Sequence, residues 1–268
     1  MKGTLYIVAT PIGNLQDFSF RAVEVLKMVD IIACEDTKHS MILLNAYNIK
    51  NKLISYHKFN EKGRLDKIKE MLDSGKNVAL ISDAGTPLIS DPGFTLIQQL
   101  QNEDYNITTV PGACAFVNAL VLSGLDTTRF YFFGFLNGNT SKQVEDLSKI
   151  KDLESTLIFY ISPHSLQKDI ETISKVLGNR QARLVNEITK IYEKVIKFNL
   201  CEDIDFNIKG ECVLVVEGNK KDNELNSLPI KEHINYYINM GIDEKNALKM
   251  VAKDRKISKS EVYKENLK

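Results

Sequence analysis

The 268-residue chain contains no tryptophan, and its four cysteines, Cys34, Cys114, Cys201 and Cys212, form no Cys-x-x-Cys pair. His39, His57, His164 and His233 are equally scattered, so zinc-ligand and redox spacings are absent and no metal is expected. The cysteines read as small buried hydrophobes. Net charge is also missing: 35 Lys+Arg balance 35 Asp+Glu, so a nucleic-acid partner would need a local basic patch. No apolar run approaches the length of a membrane span, and the stretch 5–9 before Thr10-Pro11 is too short for a signal-peptide core. These absences predict a cytoplasmic protein with no membrane partner. The loop Ala9-Thr10-Pro11-Ile12-Gly13-Asn14 carries neither G-x-G-x-x-G nor G-x-x-x-x-G-K-S/T. With one glycine and one proline it is not built to wrap a pyrophosphate, which argues against dinucleotide and P-loop nucleotide chemistry.

What is present is an ordinary globular composition, 43% apolar and 26% charged, on a chain long enough for one large α/β domain or two small ones. Strand-like runs at 5–9, 31–34, 53–56, 78–81 and 107–110 alternate with helix-like segments at 18–28, 38–46, 62–74 and 94–103. Ala22, Leu26 and Val29 share one helical face, as do Leu65, Ile68 and Leu72. The alternation predicts a mostly parallel sheet with helices on both sides. An apolar helix at 113–122 follows. Beyond it, strands are expected at 130–133, 156–161, 182–187, 191–198 and 212–217, with helices only at 141–150 and 163–177, which predicts a mixed sheet. Residues 218–226 read as a polar linker. The remainder reads as a helical tail whose last helix Ser258 can cap, with eight Lys/Arg against four Asp/Glu from Glu244 to Lys268. The expected units are an α/β lobe at 1–118, a second α/β lobe at 119–222 and a basic helical tail at 223–268.

Candidate chemistry sits on the loops after strands. The run Ser82-Asp83-Ala84-Gly85-Thr86-Pro87-Leu88-Ile89-Ser90-Asp91-Pro92-Gly93 leaves a buried strand and enters a helix, the place where open α/β sheets bind ligands. Its glycines allow close backbone approach, its prolines stiffen the turns, and its two carboxylates need partners. An ordinary βα connection is the alternative, but loops this long are usually functional. In Cys34-Glu35-Asp36-Thr37-Lys38, Asp36 or Thr37 suits a helix cap, while Glu35 or Asp36 could face the same crevice. Pro111-Gly112-Ala113-Cys114-Ala115 places small residues at a helix start, where free N–H groups suit a carboxylate or simply permit close packing. Tyr160-Ile161-Ser162-Pro163-His164 follows another strand, with His164 structural by default. Asn186-Glu187-Ile188-Thr189-Lys190 offers a general base beside a cation, or two solvated charges.

Taken in order, these loops resemble one family. The segments at 9–14, 34–38 and 82–93, Val-Pro-Gly-Ala at 110–113, Phe-Phe-Gly-Phe-Leu at 132–136, Ser-Pro-His at 162–164 and Glu-Ile-Thr-Lys at 187–190 are similar to the ribosomal RNA small subunit methyltransferase I group of the tetrapyrrole methylase superfamily. The resemblance implies a two-lobed tetrapyrrole-methylase-like α/β fold in a homodimer, with S-adenosylmethionine folded into the cleft between the lobes. It implies methylation of the ribose 2′-oxygen of a cytidine in small-subunit ribosomal RNA, free or in the assembled 30S subunit. By matching loops the cofactor would touch Pro11, then Asp83, Ala84, Gly85, Thr86 and Ile89, then Cys114 and Ala115, with Ile161 and Asn186 from the second lobe. Glu187 is the expected proton acceptor, helped by Lys190.

Three positions and one stretch depart from the family pattern: after Phe135-Leu136, where the family usually continues with Pro and basic residues, Asn137-Gly138-Asn139-Thr140 precede Lys142. Ile161 and Ser165 stand where the family usually has Glu and Arg, and Asn186 stands where it has Arg. If the missing Glu and Arg pair with each other in relatives, their joint loss is nearly neutral. If the arginines grip phosphate, RNA affinity or target choice has shifted. Two rival readings follow: a methylase of tetrapyrrole precursors, and a non-catalytic RNA- or ribosome-binding homologue.

Overall fold

The computed structural model describes residues 1–206, 208, 210–220, 224–255 and 257–266, and the chain divides into two compact units, Met1–Gly218 and Asn219–Lys268.

The first unit contains two five-stranded sheets. In the first, β1 (Thr4–Val8), β2 (Ile31–Cys34), β3 (Leu53–Ser55), β4 (Val78–Ile81) and β5 (Asn106–Val110) lie in the order β3-β2-β4-β1-β5, every pair parallel. The central strands β2 and β4 are buried along their whole length, as expected of a parallel sheet covered on both faces. One face packs Val8, Phe18, Ala22, Leu26 and Leu44 beneath α1 (Phe20–Met28) and α2 (Thr37–Ala46). The other packs Leu5, Ile68, Leu72, Leu96 and Leu100 beneath α3 (Glu61–Asp73) and α4 (Phe94–Asn102). The chain runs outward from β1 to β3 on one side, then returns to β4 and crosses to β5 on the other. The β1–β4 boundary is therefore the topological switch point, where a crevice opens at the carboxyl ends of the strands.

After β5, the apolar helix α5 (Ala115–Ser123) leads to the second sheet, of order β6-β7-β10-β8-β9. Here β6 (Phe130–Phe135) pairs parallel with β7 (Thr156–Ile161). The ladders of β10 (Cys212–Val216) with β7 and β8 (Gln181–Asn186), and of β8 with β9 (Lys194–Asn199), are antiparallel. The helices α6 (Thr140–Ile150) and α7 (Leu166–Leu177) cover a core around Phe159, Leu184 and Leu214. Phe159 is fully buried, and its truncation to alanine would cost about 3–5 kcal/mol.

Two of the differences from the sequence expectation have a clear local cause. Residues Leu15–Asp17 form a 3-10 turn capped by Asn14, and Ser19 caps α1 through Ala22 N–H at 3.1 Å, so the helix begins later than its apolar pattern suggests. The strand expected from 191 begins at Lys194, because Glu187 and Thr189 adopt left-handed backbone (φ 54° and 65°) and Thr189 N–H donates to Glu193 Oε2 at 2.6 Å.

The second unit packs α8 (Ile230–Asn239), α9 (Glu244–Arg255) and α10 (Lys259–Asn266) around Ile234, Tyr237, Leu248, Val251 and Val262. Ser258 and Glu261 form a reciprocal cap: Ser258 Oγ accepts Glu261 N–H at 3.2 Å, and Glu261 Oε2 accepts Ser258 N–H at 2.7 Å. No helix among the described residues is long and apolar enough to cross a membrane.

Candidate active site

The loops after β1, β4 and β5 are locked together. Thr10 and Gly85 exchange backbone hydrogen bonds, Thr10 Oγ1 donates to Ser82 C=O at 3.1 Å, and Thr86 Oγ1 donates to Ala113 C=O at 3.0 Å. The chain around β2 joins them, because Asp36 N–H donates to Asp83 Oδ1 at 3.2 Å. Asp36 itself caps α2 through Lys38 and His39 N–H, and these bonds hold its carboxyl below the usual range. At the far end of the long loop, Gly93 N–H donates to Glu61 Oε1 at 2.8 Å.

These loops and the second sheet enclose a cavity of about 400 Å³. Of the residues expected to bind cofactor, Asp83, Ala84, Gly85, Thr86, Ile89, Cys114, Ala115 and Ile161 line it. Pro11 is buried beside Ile12, which does line it. The cavity also takes Asp91, Phe135, Tyr160, Glu211, Cys212 and Val213, none of which was singled out as a site residue. Asp91 lies inside the acidic loop already marked. Phe135 and Tyr160 lie inside runs already marked; Glu211, Cys212 and Val213 reach the site through the sheet order, which no local pattern encodes.

The lining is apolar along Ile12, Ile89, Phe135, Ile161 and Val213, and its charged members are Asp83, Asp91 and Glu211. Among the described residues no Lys, Arg or His lines it. Negative charge accumulates here. Burial, then Glu35 and Asp83, pushes the Asp91 carboxyl up to about 6, opposed by the nearby Ser82 hydroxyl. Burial and Asp83 also raise Glu35, offset by His57. Burial raises the Cys114 thiol, so it is not poised as a nucleophile.

Asn186, Glu187 and Lys190 stand at the shoulder of this cavity rather than in its lining. The Asn186 side chain donates to Glu211 C=O at 3.1 Å and contacts Cys212 Sγ at 3.3 Å. Glu187 Oε1 accepts from Lys190 Nζ at 3.0 Å and from Glu211 N–H at 3.3 Å. Burial works against the Lys190 charge, but Glu187 and Glu211 outweigh it and hold the amine above its usual range. The Lys190 stem lies across Gly13, where an added Cβ would fall 2.6 Å from Cγ and Cε. Thr189 Oγ1 donates to Asp17 Oδ2. The loop so held projects Ile191 (94% exposed) and Tyr192 (79% exposed) into solvent beside a second cavity that Asn186, Glu187 and Lys194 share.

Comparison with known proteins follows the same line. Residues 4–202 match the model of the Tetrapyrrole (Corrin/Porphyrin) Methylases. The chain is 41% identical to ribosomal RNA small subunit methyltransferase I of Bacillus subtilis, covering 97% of this chain and 93% of that protein. It is 44% identical to the protein of the same name from Haemophilus influenzae, over 82% of this chain and 81% of that one. Among solved structures, uroporphyrin-III-C-methyltransferase of Thermus thermophilus aligns with a TM-score of 0.59 at 18% identity, covering 81% of this chain and 94% of that one. Diphthine synthase aligns with a TM-score of 0.60 at 13% identity, over 80% and 89% of the two chains. At such identities the structural matches speak for the fold alone.

Proposed function

This chain belongs to the tetrapyrrole (corrin/porphyrin) methylase family, and from that premise we propose that it transfers a methyl group from S-adenosylmethionine to the ribose 2′-hydroxyl of a cytidine in small-subunit ribosomal RNA. The observation that carries this reading is the sign of the cavity. Among the described residues its charged lining is negative, which favours a cationic cofactor. Its volume lies within the ~300–1,000 Å³ typical of ligand sites.

S-adenosylmethionine fits this donor set. When bound, it supplies a methyl group on positively charged sulfur. Asp83 and Glu211 favour that charge, and Ile12, Ile161 and Val213 offer an apolar wall. The first turn of α5, at Cys114 and Ala115, offers backbone N–H groups suited to a carboxylate. The apolar part of the lining would favour a reaction in which charge is cancelled. Loops from both sheets would orient the reactants, and orientation of this kind supplies much of the rate.

Glu187 and Lys190, expected from the sequence to handle the ribose proton, already engage each other. They serve better to fix the 187–193 loop. The exposed Tyr192 side chain and Lys194 on that segment offer stacking and charge to an RNA strand. The basic second unit supplies further phosphate contacts. Val117 and Val121 of α5, with Phe130 and Tyr131 of β6, leave apolar surface exposed, which supports a homodimer. A ribosomal substrate places the protein in the cytoplasm.

The test is incubation of the protein and cofactor with 30S subunits, and separately with naked small-subunit RNA, followed by mass mapping of the RNA. One added ribose methyl group on a cytidine is expected. Methylation of a base, or none on either substrate, would reject the reading.

A further inference from the structure

Resting on that reading, we infer that Asp91 is the catalytic residue that accepts the proton of the attacking ribose hydroxyl. The 2′-oxygen forms the new bond to the methyl carbon as the carbon–sulfur bond breaks. Its electron pair stays on sulfur, which becomes a neutral thioether, and the hydroxyl proton passes to the Asp91 carboxylate. Water removes that proton after product release.

The carboxylates around the cavity differ in what already holds them. Asp83 accepts Asp36 N–H. Glu187 accepts Lys190 Nζ and Glu211 N–H, and Glu211 lies 3.6 Å from Lys190 Nζ. Asp91 lines the cavity, and among the described residues no cation or backbone N–H holds it; the nearby Ser82 hydroxyl donates to Gly85 C=O at 3.1 Å. The groups facing it are Glu35 from the end of β2, Asp83 and Ser82 from its own loop, and the Tyr160 phenol from β7. A carboxylate with spare lone pairs, in a half-buried site ringed by negative charge, is the one most ready to take a proton.

Its placement is also fixed from both sides. Leu88 (φ 72°) and Ser90 (φ 65°) are left-handed without being glycine, an arrangement that persists only where surroundings impose it. Ser90 Oγ lies 3.3 Å from where a Cβ on Gly134 would stand, at the β-bulge of β6. Asp91, the next residue, lines the same cavity as Phe135 and Tyr160 of the second sheet. A pKa near 6 lets the group accept a proton and release it near neutral pH.

Asp91→Asn keeps the shape and removes the acceptor. Calorimetry should show S-adenosylmethionine binding within a few-fold of wild type. Single-turnover methyl transfer to small-subunit RNA should fall about a hundredfold or more. The wild-type rate should lose activity below about pH 6, and that limb should vanish in Asp91→Asn but persist, at reduced rate, in Asp91→Glu. Independently of activity, carbon NMR of the free protein should show one carboxyl titrating near 6 that is missing from Asp91→Asn. Transfer within a few-fold of wild type in Asp91→Asn would overturn the assignment. So would loss of cofactor binding in that variant, or loss of the acid limb in Glu187→Gln rather than Asp91→Asn. Wild-type protein that methylates no small-subunit RNA, while the carboxyl still titrates near 6, would instead sink the functional reading and take this assignment with it.

Discussion

Thr10 and Gly85 exchange both of their backbone hydrogen bonds, Thr10 N–H to Gly85 C=O at 2.8 Å and Gly85 N–H to Thr10 C=O at 3.1 Å. This bridge ties the loop after β1 to the loop after β4 at the switch point of the first sheet. It needs glycine. Gly85 has φ 82°, and a Cβ there would stand 3.1 Å from Ile12 Cγ2, at the wall of the cavity. Gly85→Val therefore combines backbone strain with a displaced Ile12. A loss of about 1–3 kcal/mol in denaturant unfolding is expected, with at least a tenfold loss of S-adenosylmethionine affinity by calorimetry. Unchanged affinity would place the ligand elsewhere.

Asp91 links stability to pH. Its folded-state pKa, about 6, lies above its ordinary value of 3.8, so the folded protein binds this proton more tightly than the unfolded chain. The favourable protonated form is fully present below pH 3.8 and is lost as pH rises through 6. Asp91→Asn should therefore be more stable than wild type at pH 8, by about 1–2 kcal/mol after allowance for solvent screening of a half-buried carboxyl. The gain should shrink as pH falls toward 4. Urea unfolding at several pH values measures it, and a gain independent of pH would contradict it.

Much of the first sheet could be read directly from the residues. The runs Ile31–Cys34 and Val78–Ile81 are apolar throughout because both faces of those strands are covered, and both strands occur at the expected positions. The backbone-rich loop at 82–93 is marked by its Gly, Pro and Asp content, and its residues 83–86 and 89–91 line the cavity. Less was readable in the second lobe. Tyr160, Glu211 and Val213 converge because β10 inserts between β7 and β8, a pairing between residues far apart in sequence. The strand pattern at 191–198 places Ile191, Tyr192 and Glu193 in a strand that begins only at Lys194. Those side chains face solvent, and the polar bonds of Thr189 decide the local conformation instead.

The second unit carries its own pH dependence. His233 is fully buried; Arg255 Nε donates to its Nδ1 at 3.2 Å, and Asp254 Oδ2 lies 3.3 Å from its Nε2. Tyr237 donates its hydroxyl to the same Asp254 oxygen at 2.6 Å. Burial, then Arg255, depresses the His233 pKa below 6.5, against the opposing effect of Asp254. A depressed histidine contributes stability above its unfolded pKa and loses it as pH falls through the folded value. Hydrogen exchange in α8 and α9, corrected for intrinsic rates, should be faster at about pH 5.5 than at pH 7.5. Equal protection at both would show that His233 does not hold this unit.

Removal of Asn219–Lys268 should spare cofactor binding and weaken RNA binding. The loss should be larger at low salt, because phosphate contacts carry it. Filter binding of small-subunit RNA across a salt series tests this. Full affinity in the shortened chain would relieve the basic unit of an RNA role.

Calorimetric titration of the wild-type chain with S-adenosylmethionine tests most directly whether the negatively charged cavity holds a sulfonium ligand. One molecule bound per chain, with binding lost in Gly85→Val, is the expected result. No heat of binding, or a variant that binds as well as wild type, would contradict it.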